Sequence, residues 1–68
     1  VSALAEAGRV IGTLEIEQQH GGPIRRRVLN DERVQLWAAR DEARRGRRSE
    51  GELEDRIREA RRVLAMYP

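Results

Sequence analysis

The apolar positions of this 68-residue chain fall into segments of different period, and the last segment is the most regular. Leu53, Ile57, Ala60, Leu64 and Tyr67 recur at steps of three and four, which places them on one face of a 3.6-residue helix. Ahead of that run, Ser49-Glu50-Gly51-Glu52 reads as a capping box. In that motif the Ser49 hydroxyl accepts from the Glu52 backbone N–H, and the Glu52 carboxylate accepts from that of Ser49. Glu50, Glu52, Glu54 and Asp55 occupy the first turns and Arg58, Arg61 and Arg62 the last, the order that complements the helix dipole. The pattern predicts a helix over 49–66, stopped by Pro68, with Glu52–Arg56 and Glu54–Arg58 pairs one turn apart.

A second helix is predicted over 31–45. Asn30 is a suitable N-cap, and Leu29 before it can staple onto Val34. Asp31 and Glu32 open the segment, Arg44 and Arg45 close it, and Gly46 can take the left-handed C-terminal position. Its inner face would be Val34, Leu36, Trp37, Ala38 and Ala43. The linker Gly46-Arg47-Arg48 is short, so the two helices should form an antiparallel hairpin with Trp37 over Leu53, Ile57 and Leu64.

The N-terminal half supports two readings. In the first, Ser2 caps a short helical turn over 2–7 that Gly8 ends, and a β-hairpin follows over 9–29. Val10, Ile11, Thr13 and Ile16 are β-branched, and Leu14 and Ile16 alternate with Glu15 and Glu17, a strand pattern. A loop at His20 to Gly22 leads to a return strand over 24–29. That register sets Glu17 against Arg25, Glu15 against Arg27 and Leu14 against Val28. In the second reading, Leu4, Ala7, Ile11, Leu14 and Gln18 share a helical face and Gly21-Gly22-Pro23 is a helix stop. Gly8 and Gly12 oppose it, each costing about 1 kcal/mol relative to alanine inside a helix. The expected fold is α+β, a β-hairpin followed by an antiparallel helical hairpin in a single small domain. The alternative is an all-α three-helix bundle.

Residues 40–57 resemble the short C-terminal domain of bacterial proteins often called SHOCT. That pattern has a first helix ending in glycine, two residues, Thr or Ser, acid-x-acid, an apolar residue and a basic helix. Gly46, Ser49, Glu50, Glu52, Leu53, Glu54 and Arg56 match it, whereas Arg47 and Arg48 stand where Leu or Ile is usual. The resemblance implies an oligomerisation or protein-binding hairpin attached to larger proteins, with no activity of its own.

Composition narrows the chemistry. With 68 residues and no cysteine, the core is small and no disulfide can reinforce it, so association with another chain is the remaining means of stabilisation. The 14 basic residues are all arginine and 12 acids offset them to a net charge of +2; anion binding would therefore require local clustering. No apolar run approaches membrane-spanning length and no signal-peptide pattern is visible, so a cytoplasmic setting without membrane contact is expected. His20 is the only histidine and lies in a Gly-rich turn. Ser2, Thr13, Ser49 and Tyr67 supply the only hydroxyls, and none belongs to a Ser–His–acid set. Gly21-Gly22 lacks the context of a phosphate loop. No catalytic residue, cofactor or metal-ligand set is expected.

Two arginine clusters remain. Arg25-Arg26-Arg27 would lie on the return strand with only Arg26 unpaired. Arg44, Arg45, Arg47 and Arg48 surround the interhelical corner and could grip a phosphate backbone or an acidic protein surface. The expected function is a non-enzymatic protein–protein interaction or self-assembly module, in which Leu53, Ile57, Leu64 and Trp37 form the core or interface stripe. The alternative is a small nucleic-acid-binding module acting through the arginine corner.

Overall fold

The computed structural model describes residues 2–67, and every regular element among them is helical: α1 (Ala3–Glu17), α2 (Pro23–Arg44) and α3 (Glu50–Met66). The expected β-hairpin over 9–29 is absent, and the fold is the three-helix bundle instead. Each helix packs on the other two, in a molecule measuring 36 × 17 × 15 Å. Pro68, the expected stop of the last helix, lies outside the described residues.

Helix α1 forms where a helical turn and a strand were expected. Ser2 does act as its N-cap, its hydroxyl accepting from Ala5 N–H at 3.2 Å, but the helix runs through Gly8 and Gly12 to Glu17. Helical spacing decides which side chains are covered: Ala3, Ala7, Val10, Ile11 and Leu14 are buried, while Ile16 is 60% exposed. In a strand Leu14 and Ile16 would share a face. An isolated two-stranded hairpin is marginal in water, whereas a helical α1 closes the bundle on both α2 and α3, and that burial outweighs the two glycines.

Helix α2 starts eight residues earlier than expected, with Pro23 at its first position, where a missing N–H costs nothing and φ is already helical. Asn30 is consequently an interior residue and no cap, and Leu29 is a core residue with no exposed surface. The inner face is Leu29, Glu32, Leu36 and Ala39. Val34 and Trp37, expected there, are 50% and 53% exposed; Ala38 is exposed and Ala43 half-buried. Leu36 is fully buried and the next residue is rotated by about 100°, which carries Trp37 out of the core.

The α2–α3 corner follows the expected chemistry. Gly46 has φ +75°; its N–H donates to Ala43 O at 3.1 Å and that of Arg47 to Glu42 O at 2.8 Å, the pair of bonds of a Schellman motif. The capping box is complete, with Glu52 N to Ser49 Oγ at 3.1 Å and Ser49 N to Glu52 Oε1 at 3.2 Å. Leu53, Ile57, Ala60 and Val63 are buried, and Leu64 and Tyr67 pack against them half-buried. The expected Glu52–Arg56 and Glu54–Arg58 pairs do not form. Arg56 reaches across to Glu32 on α2, and Arg58 pairs with Asp55.

Candidate partner-binding face

The arginine corner is half neutralised by its own helix. Arg45 pairs with Asp41 at 3.1 Å and Arg48 with Glu42 at 2.7 Å, and the Glu42 hydrogen bond raises the Arg48 guanidinium pKa above its ordinary value. Among the described residues, Arg44 and Arg47 have no carboxylate at ion-pair distance, and both are exposed. The apolar stripe is likewise committed: Leu53 and Ile57 are 1% and 2% exposed inside the bundle. Trp37 is not with them.

What α2 brings together instead is a continuous stripe. Arg26, Asn30, Arg33, Trp37, Arg40 and Arg44 follow at steps of four, three, four, three and four, so one flank of a single helix carries them all. Arg26, once expected on a strand, is exposed on this helix. Among the described residues none of these arginines has a carboxylate at ion-pair distance, whereas Arg25, Arg45, Arg48, Arg56, Arg58, Arg61 and Arg62 all do. Neutral groups hold part of the stripe. Arg33 Nη2 donates to Asn30 Oδ1 at 3.0 Å and Arg40 Nε to Leu4 O at 3.4 Å, which orients two guanidiniums without cancelling their charge. Gly8 on α1 lies beneath Arg40; a Cβ there would sit 3.8 Å from its Nε.

A strand over 24–29 and a helix over 31–45 would divide this stripe between two elements. Its 4-3-4-3-4 spacing through residue 30 was the signal available.

The serine and threonine hydroxyls are engaged in the fold. Ser2 and Ser49 cap helices, and Thr13 Oγ1 donates to Arg9 O at 3.1 Å. A cleft of about 240 Å³ opens where the start of α1 meets the α2–α3 corner. Its two charged residues are already occupied, Arg48 with Glu42 and Glu50 as acceptor for Ala3 N–H at 3.3 Å. His20 is exposed, and its carbonyl accepts from Arg25 at 2.7 Å. Among the described residues no group of three or more His, Cys, Asp or Glu is placed to hold a metal ion, and no helix is long and apolar enough to cross a membrane. No family model matches the chain, and no curated protein or solved structure matches it either.

Proposed function

We propose that the chain is a non-enzymatic protein-binding domain that docks its partner on the outer flank of α2, with Trp37 at the centre. The carrying observation is the 53% exposure of Trp37 in a bundle whose core closes without it. Tryptophan and arginine are the residues that most often dominate binding energy at protein interfaces, and Val34, 50% exposed beside Trp37, enlarges the apolar contact. The resemblance of 40–57 to an interaction hairpin points the same way, as does the engagement of the serine and threonine hydroxyls in caps and backbone bonds. A cytoplasmic setting belongs to the same reading.

The immobilised domain, incubated with a nuclease-treated protein fraction, should retain a partner that Trp37→Ser does not retain, while Met66→Ser on α3 retains it fully. A partner held equally by Trp37→Ser would overturn the placement on α2. A second reading, nucleic-acid binding, draws on Arg44 and Arg47, the corner arginines without a carboxylate at ion-pair distance among the described residues. It requires a complex whose log K falls against log salt by about 0.9 for each phosphate contacted, with a smaller slope for Arg44→Ala and Arg47→Ala.

A further inference from the structure

Resting on the α2 docking reading, we infer that the element recognised there is an acidic amphipathic helix of a protein partner, laid along α2 with an apolar side chain against Trp37. Charge complementarity carries the argument. The α2 stripe sets Arg26, Arg33 and Arg40 seven residues apart and adds Arg44 one turn on, none with a carboxylate at ion-pair distance among the described residues. Seven residues of helix rise about 10.5 Å, so a helix running alongside would present carboxylates in register by repeating them every heptad. Between Arg33 and Arg40 the surface is apolar, with Trp37 and Val34 half exposed, and between Arg26 and Arg33 it carries the neutral Asn30. That alternation of charged and apolar contacts suits a helix bearing one acidic and one apolar stripe.

The same face is ill suited to a nucleic-acid duplex. Asp41 follows Trp37 by one helical turn on that flank, paired with Arg45 at 3.1 Å. Its carboxylate would meet phosphate with like charge, whereas a protein helix can place a neutral or basic residue opposite it.

Trp37 is the only tryptophan, so its fluorescence reports on the site directly. The test uses tryptophan-free synthetic helical peptides of about three heptads with a leucine stripe and, at each flanking heptad position, glutamate, glutamine or lysine. The glutamate peptide should bind with a blue shift of Trp37 emission, the glutamine peptide about tenfold more weakly, and the lysine peptide not at all. Arg26→Ala and Arg44→Ala, both at exposed positions, should each weaken the glutamate peptide about three- to tenfold, with unchanged helical circular dichroism. Glutamine and glutamate peptides binding alike, with the arginine variants silent and Trp37→Ser defective, would overturn the acidic partner and leave the α2 docking site standing. Binding indifferent to Trp37→Ser would remove both. A duplex oligonucleotide that shifts Trp37 emission at lower concentration than the glutamate peptide would overturn the inference in favour of a polynucleotide, and failure of the glutamate peptide to bind would overturn it outright.

Discussion

Arg25 Nε donates to the backbone carbonyl of Tyr67 at 2.9 Å, joining the first turn of α2 to the end of α3. The same guanidinium pairs with the Glu17 carboxylate at 2.9 Å and donates to the carbonyls of Glu17 and His20. One side chain, 14% exposed, thus donates to carbonyls at the end of α1, in the loop and at the end of α3. Glu17 and Arg25 were expected to face each other across a hairpin; they do meet, at a helical corner.

Replacing Arg25 with alanine removes the donor to the Tyr67 and His20 carbonyls and the partner of the Glu17 carboxylate and should destabilise the domain by about 2 kcal/mol. Arg25→Lys should recover little, because an ammonium cannot reproduce the planar fork. Urea unfolding of both variants against wild type checks this; a lysine variant of wild-type stability would show that charge alone matters.

Leu14 and Ile16 separate the helical from the extended reading of α1. Leu14 has no exposed surface and Ile16 is 60% exposed. Leu14→Ala should cost about 2–5 kcal/mol and Ile16→Ala less than about 0.5 kcal/mol. Equal losses would mean that the two side chains share a face.

Glu32, 7% exposed, meets Arg56 between α2 and α3. Glu32→Ala strands the half-buried Arg56 and should destabilise by about 3 kcal/mol. The double change Glu32→Leu with Arg56→Leu should lie within about 1 kcal/mol of wild type or above it, since apolar packing replaces a pair that must be desolvated. A double-mutant cycle measured by chemical denaturation decides between these outcomes.

Acid should loosen the start of α3. The Ser49 backbone N–H, followed by its hydroxyl, holds the Glu52 carboxyl below the ordinary glutamate pKa. Its folded value being depressed, the unfolded chain binds the proton more readily. The stabilisation is therefore complete above the ordinary glutamate pKa and disappears as pH falls through the lower folded value. Carboxyl NMR titration should find the Glu52 midpoint below that of a free glutamate, with faster amide exchange in the first turn of α3 at acid pH. Ser49→Ala should cost about 1 kcal/mol and return the Glu52 midpoint toward its ordinary value. An unshifted midpoint in wild type would contradict the box.

Local chemistry settled α3 and the corner before it. A cap, a reciprocal glutamate and a left-handed glycine act within a few residues of chain, so Ser49, Glu52 and Gly46 could be read directly from their order. The Ser2 cap was legible for the same reason. The sequence could not by itself choose between strand and helix at 9–18, because alternation and helical spacing coexist there and the balance rests on burial against α2 and α3. Nor could it extend α2 back to Pro23, since Arg25-Arg26-Arg27 shows no apolar period and the inner position Glu32 is charged. Its burial is tolerated only because Arg56, 24 positions further along the chain, arrives opposite it. Trp37 is the sharpest case: its size suggests a core residue, but Leu36 takes the inward position and its neighbour, rotated by about 100°, is left 53% exposed. Tertiary packing thus turned the largest side chain outward and, by making 23–44 one helix, aligned arginines that the sequence had appeared to divide between two elements.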